Sequence, residues 1–229
     1  MVLLKVLLKR LRTFSHISER KRQDPQGQAP RLVCAHAGLR YNGGRPPFAL
    51  QSVNFCPNCG ARVAYRIPPG DTLPRHLCDA CGTIHYRNPL MVVGSIPEID
   101  ERLLLCRRAI EPRSGLWTLP AGFMELGETI AQGAIRETLE EANARIELGE
   151  VFTLLSVPHV DQVHLFYRAR LLDLDFSPGT ESLEVALFRE GDIPWEEIAF
   201  RTVSATLRHY YADRSAGAYR LHAETVQRG

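Results

Sequence analysis

The sequence predicts an α/β sandwich with a mixed sheet, preceded by a small cysteine-rich module. Three observations carry this reading. Short apolar runs alternate with turn signals from Pro89 onward. Residues 129–142 follow a helical rather than a strand period, and VSATLRHYYAD (203–213) reads as a terminal helix. Ahead of both, two Cys-x-x-Cys pairs lie between Phe55 and His85. A chain of 229 residues is long enough for one sizeable domain and a small appendage.

The elements follow in order. LMVVGSI (90–96) and RLLLCRR (102–108) are two strands joined through PEIDE as a hairpin. LWTLPAG (116–122) is a strand running into a glycine turn, and the helix of residues 129–142 follows. IELGEVFTLLSVP (146–158) and VHLFYRARLL (163–172) are two long strands. SPGT (177–180) is a loop and EVALF (184–188) a further short strand. IPWEEIAF carries Pro near the first position of a helical turn, and the terminal helix comes after it. The expected division is a leader over 1–50, the cysteine module over 51–88, the main domain over 89–213 and a tail over 214–229. No repeat of 20–50 residues is visible.

Composition narrows the function classes. At 45% hydrophobic and 24% charged the chain is ordinary for a globular protein. No apolar run approaches the ~18–20 residues of a membrane span. The formal charge of +2 hides an asymmetry: residues 1–54 carry ten Lys/Arg and two Asp/Glu, leaving eighteen against twenty-four, or −6, for residues 55–229. A mildly acidic main part argues against a nucleic-acid partner. All three lysines (Lys5, Lys9, Lys21) lie at the start. MVLLKVLLKRLR is amphipathic and basic, as in a targeting or membrane-surface segment. It lacks a small-residue cleavage site, so a secretory signal is not expected. RKRQDPQGQAP has little to bury, which favours a disordered extension or an upstream start codon. The expected compartment is the cytoplasm.

FCPNCG (55–60) and LCDACG (77–82) are two knuckles with eighteen residues between the pairs. Each can place two thiolates on one tetrahedral ion, and the glycine after each pair permits a tight turn beneath it. Cys56, Cys59, Cys78 and Cys81 would make a closed four-sulfur zinc site, structural because no position is left for water. Disulfides in an exported protein, or a redox pair, are the competing readings; the absence of a secretory signal favours zinc. So small a module has little core, and the metal would supply its folding energy. His76 and His85 are expected to be surface or packing residues, and Cys106, in LLLC, a small core residue. Cys34 has no reading.

PAGFMELGETIAQGAIRETLEEANA (120–144) holds five glutamates in twenty-five positions. At 100° per residue, Glu137, Glu140 and Glu141 share about a 100° arc of one helix face. Ala131, Ile135, Leu139 and Ala142 fall opposite and are expected to pack on the sheet. Converging carboxylates repel one another, so something positive should offset them. A solvated acidic face is the bland reading. The preceding strand and turn, however, point these carboxylates toward a loop with free carbonyls, an all-oxygen site of the kind hard divalent cations take.

Gly122, five residues, Glu128, seven residues, Arg136-Glu137, two residues, Glu140-Glu141 resembles the Nudix box. Six specified positions coincide by chance less than about once in 10⁷ starts. Thr138 stands where the pattern has an aliphatic residue, and Asn143 where it has glycine; Asn tolerates a left-handed helix end next best. With the ribbon, residues 55–213 resemble bacterial ADP-ribose/NADH-type Nudix pyrophosphatases and the plant chloroplast FAD-hydrolysing Nudix enzyme.

The resemblance implies an α/β/α sandwich with a mixed sheet and a structural zinc ribbon. It implies Glu137 and Glu141 as the main Mg²⁺ (or Mn²⁺) ligands, Glu140 as a further ligand or water-activating base, and the Ala121 carbonyl as a further donor. Glu128 and Arg136 would be supporting residues, Arg136 orienting a box carboxylate. In some members the base comes from a later loop, where Glu181 and Glu184 are the candidates. The implied reaction is hydrolysis of a nucleoside diphosphate linked to another group, here FAD or ADP-ribose, releasing AMP. NADH pyrophosphatase activity is the rival, although the Ser-Gln-Pro-Trp-Pro-Phe-like stretch of that group is absent. A non-catalytic ligand sensor is the alternative class, and the intact carboxylates speak against it. Pro158 lies near where ADP-ribose-cleaving members often carry a proline. Trp117, Phe123, Phe166 and Tyr167 are candidates for an aromatic wall, with Trp117 and Phe166 expected in the core. Dimers are common in the family, so a homodimer is the implied assembly.

Overall fold

The computed structural model describes residues 53–228. The leader reading and Cys34 lie outside them. The cysteine module forms a three-stranded antiparallel sheet of β1 (Val63–Arg66), β2 (Arg75–Cys78) and β3 (Ile84–His85). His76 pairs with His85 across β2 and β3, and the His76 ring lies 4.9 Å from that of Tyr65, so both histidines sit within the sheet.

The second sheet is mixed and has eight strands. Its path is β10 (Ser182–Phe188), β5 (Arg102–Arg108), β4 (Leu90–Ile99), β9 (Gln162–Leu171), β8 (Ile146–Val157) and β11 (His222–Thr225). Two short strands, β6 (Trp117–Thr118) and β7 (Ala121–Phe123), pair with β5 and β4 respectively. The hairpin expected through PEIDE is present, with Ile99 opposite Arg102, but β4 runs on to Ile99. β4 therefore holds β5 at its C-terminal end and β7 near its start, and lies parallel to β9 along nearly its whole length.

Two helices sandwich this sheet. The alternation along β5 shows how: Leu103 and Leu105 join the core under α2 (Arg201–Ala216), with Leu207, Tyr210 and Phe152. Leu104 and Cys106 point the other way, into the core that includes Ala142 of α1 (Ile130–Ala142). Trp117 and Phe166 are core residues, as expected, at 6% and 1% exposure. Within the span 214–229 read from sequence as a tail, residues 214–216 complete α2 and His222–Thr225 form β11, which runs parallel to β8. The signal was weak because HAET is short and mostly exposed.

The packing face of α1 differs from the expected one. Ile135 and Leu139 are exposed at 42% and 49%, whereas Gly133, Ala134, Glu137, Thr138, Glu141 and Ala142 are buried. Small residues let the helix approach β4 closely: a Cβ at Gly133 would lie 2.7 Å from Val93 Cγ2. That approach turns the carboxylate side of the helix toward the sheet.

Candidate active site

The box helix starts at Thr129, whose hydroxyl accepts from Gln132 N while the Gln132 side chain accepts from Thr129 N. It ends at Asn143 in the left-handed conformation, φ 48°. The Asn143 side chain then donates to Ser177 O and Pro178 O at 3.2 and 3.3 Å. Ser177 N and Gly179 N donate to Ala142 O and Glu141 O, so the 177–181 loop closes the helix end.

Between these ends the carboxylates occupy different environments. Gly122 of β7 lies against the Glu137 carboxylate; a Cβ there would come within 2.4 Å of it. Only glycine leaves that space. Arg136 gathers its neighbours, donating through Nε and Nη2 to both oxygens of Glu128 (3.0 and 2.8 Å), through Nη1 to Glu137 (2.6 Å) and Glu140 (3.0 Å), and to Phe123 O (3.1 Å). The Arg136 fork and the Glu125 N–H hold the Glu128 carboxyl down to about 2. Glu128 and Arg136 thus brace the β7–α1 loop against the helix.

Glu141 has no such partner. It is 7% exposed, and its Oε2 has no hydrogen-bond partner among the described residues. Burial, then the Glu137 charge, push its carboxyl up to about 8, against the Ala121 N–H as the largest opposing cause. Burial also raises Glu137. A buried, partnerless carboxylate oxygen beside a second carboxylate is a donor set that fits a hard divalent cation. Glu140 stays at the rim, its side chain 59% exposed and held by Arg136.

A cleft of about 1350 Å³ contains this cluster. Glu137, Glu140, Glu141, Ala121 and Glu181 all line it. Glu181 also bears electrostatically on both Glu137 and Glu141. Glu184 does not line the cleft. A register shift between Ser182 and Glu184 turns it along β10 to Arg107, 3.7 Å away. Of the aromatic candidates, Phe123 and Phe166 reach the cleft, and Trp117 and Tyr167 are not among its lining residues. Three groups escaped the sequence reading. Phe200 lines the cleft with Arg108 stacked on its ring at 5.1 Å. His164 is held by Gln162 and Thr202 at 2.8 and 3.1 Å and is lowered by burial to about 4. Val226, Gln227 and Arg228 line the same cleft. None of these lies in a motif: Phe200 caps the start of α2, His164 is placed by the register of β9, and residues 226–228 follow β11.

In the module the four cysteines are free, with all Sγ atoms within 4.8 Å of one another. Cys56 and Cys81 lie 3.6 Å apart, and Cys59 and Cys78 3.5 Å. Disulfide sulfurs would be at ~2.0 Å, whereas a tetrahedral zinc with ~2.3 Å bonds separates its sulfurs by ~3.8 Å. Gly60 and Gly82, both at positive φ, make the turns beneath.

A carboxylate-bearing helix over a mixed sheet, behind a four-thiol ribbon, defines the class, and comparison with known families agrees. The NUDIX domain model matches residues 89–210, more than half of the chain, and the zinc-ribbon model described as Nudix N-terminal matches residues 54–87. The chain belongs to the Nudix family and is a Nudix hydrolase with an N-terminal zinc ribbon. It is similar to the crystal structure of a NUDIX hydrolase from Nitrosomonas europaea, 55% identical with a TM-score of 0.75, covering 76% of this chain and 99% of that one. An ADP-ribose pyrophosphatase of Methanocaldococcus jannaschii is 29% identical over 48% of this chain and 67% of its own length. A NAD-capped RNA hydrolase NudC from an Enterobacter species is 30% identical over 57% of this chain and 50% of its own, so this chain spans half the length of that relative. Among the described residues no helix is long and apolar enough to cross a membrane.

Proposed function

We propose that the protein is a divalent-cation-dependent pyrophosphohydrolase that cleaves the diphosphate of a dinucleotide-type substrate, ADP-ribose or FAD first, and releases AMP. The observation that carries this reading is the buried Glu137–Glu141 pair, with its partnerless Glu141 oxygen, facing Glu181 in one cleft. Glu137, Glu141 and the Ala121 carbonyl would hold the cation, with Glu140 at the rim as a further ligand. A bound Mg²⁺ or Mn²⁺ neutralises diphosphate charge and lowers the pKa of water. Arg136 keeps Glu137 oriented while both Glu128 oxygens hold its Nε and Nη2. Glu181, on the loop across from the helix, is the group that takes the proton of the attacking water, with Glu140 the alternative. The contact of Glu184 with Arg107, 3.7 Å away, supports Glu181 over Glu184 for this role.

The size of the cleft supports a substrate of two nucleoside-like halves, since drug-sized ligands fill only ~300–1000 Å³. Phe123 and Phe200 offer flat apolar surface for a heteroaromatic ring. The named ADP-ribose pyrophosphatase relative supports ADP-ribose. NADH, or an NAD-capped end, is the second reading, favoured by the NAD-capped RNA hydrolase relatives. The test is turnover of ADP-ribose, FAD, NADH and an NAD-capped RNA with Mg²⁺ and Mn²⁺, with products identified. AMP with ribose 5-phosphate, or AMP with flavin mononucleotide, is expected. Rapid hydrolysis of nucleoside triphosphates alone would reject the substrate class, and no phosphate-bond cleavage of any kind would favour a ligand sensor.

A further inference from the structure

The two ends of the cleft have opposite chemistry. Among the described residues, every carboxylate on its wall belongs to residues 111–141 or to Glu181. The opposite end is built from Val157, Gln162 and His164, the start of α2 and residues 226–228, and none of these is acidic. Its charged side chains are Arg201 and Arg228.

Strand register fixes how far apart these ends lie. Phe123 of β7 pairs with Val92 of β4, Val92 with His164 of β9, His164 with Leu155 of β8, and Leu155 with Glu224 of β11. Four ladder steps span roughly 19 Å. Residues 226–228 therefore stand at the far side of the sheet from the Gly122–Glu137 contact.

The C-terminal segment is anchored there. Asp213, 6% exposed, accepts from Arg220 N at 3.0 Å and pairs with His222 Nε2 at 2.8 Å. The His222 ring stacks on His209, centroids 4.0 Å apart. Beyond β11, Val226 N donates to Ser156 O at 2.9 Å, and Arg201 donates to Gln227 O at 3.3 Å. The segment after the strand is thereby held against the first turn of α2.

We propose that Val226–Arg228 form a nucleoside subsite at the non-acidic end of the cleft, receiving the half of the substrate farthest from the box carboxylates. This rests on the pyrophosphohydrolase reading above. Val157 and Val226 give apolar contact, the Gln227 amide gives a donor and an acceptor, and the Arg228 guanidinium can lie over a heteroaromatic face. The segment lies outside the family domain match, which ends at residue 210.

The test is the full chain with Gln227→Ala and Arg228→Ala together, two exposed positions whose change leaves β11 and its anchors in place. The KM for ADP-ribose is expected to rise about fivefold or more, the effect of losing one or two side-chain contacts, with kcat and the half-saturating Mg²⁺ concentration unchanged. Deletion of residues 226–229 should do the same or more. An unchanged KM in both variants overturns the proposal, as does a fall in kcat with altered Mg²⁺ dependence, which would put the segment at the acidic end. If the parent turns over no dinucleotide, the catalytic reading has failed by itself. Calorimetric binding of ADP-ribose to parent and variants then decides the subsite, equal affinities or no binding to the parent rejecting it.

Discussion

Ser95 and Thr138 share a 2.6 Å hydrogen bond between β4 and the box helix, both fully buried. Thr138 also donates to Ala134 O at 2.8 Å, so Ser95 supplies the proton between the two hydroxyls. The departure from an aliphatic residue at 138 is therefore matched by a polar partner on the sheet. Thr138→Val should cost about 1–3 kcal/mol by stranding the Ser95 hydroxyl, while adding Ser95→Ala should recover most of that loss. Urea unfolding of the four proteins of this cycle measures it, and additive costs would show the two groups to be independent.

Glu137→Gln and Glu141→Gln should each lower turnover by at least ~10²-fold, by removing charge from the cation site. Glu141→Gln should not lower the thermal midpoint of the metal-free protein, because burial and the Glu137 charge already keep that carboxyl largely protonated at neutral pH. Glu137→Gln gives up its charged contact with Arg136 and should lower the midpoint modestly. Near-native turnover in both variants would show that the chemistry lies elsewhere.

Arg136→Lys should not rescue Arg136→Ala. The fork contacts Glu128, Glu137, Glu140 and Phe123 O at once, and an ammonium cannot reproduce that geometry. Both variants should lose about tenfold or more in kcat. Steady-state kinetics at saturating Mg²⁺ separates this from weaker metal binding, and a fully active lysine variant would reject the clamp.

Glu181→Gln should reduce kcat by about 10²-fold or more, as expected for a lost general base, while Glu184→Gln stays near the parent. Asn143→Gly keeps the left-handed helix end but frees the Ser177 and Pro178 carbonyls, so it should lower kcat more than it changes KM. The reverse ranking of the two glutamates in single-turnover assays would return the base to β10.

Elemental analysis should find one zinc per chain, retained when Mg²⁺ is removed. Cys56→Ser with Cys78→Ser should lose that zinc and the ordered β1–β3 sheet, read by amide hydrogen exchange. Zinc absent from protein with four protected thiols would reject the site.

Much of this architecture was legible because it is periodic or tightly spaced. The box, the two knuckles and the long strands β4, β8 and β9 follow from local pattern. The face of α1 was not legible. Ile135 and Leu139 look like core by hydrophobicity, yet Gly133, Ala134 and Thr138 win because small side chains permit a closer approach to Val93 and Ser95. Nor could sequence choose between Glu181 and Glu184, because a register shift in β10 decides which one meets the cleft. The far wall escaped because β11 is four residues long and pairs with a strand some seventy positions earlier.

β4 is grasped by β5 at one end, by β7 at the other, and by β9 along its flank. The pairing with β9 closes a loop of about seventy residues, a slow event in a chain rich in distant contacts. A synthetic peptide of residues 120–144 would carry every glutamate of the box and none of its geometry, since Gly122 and Glu137 meet only once β4 has gathered its neighbours. In refolding experiments, return of turnover should therefore lag behind return of helical signal, making activity a reporter of the last strands to assemble.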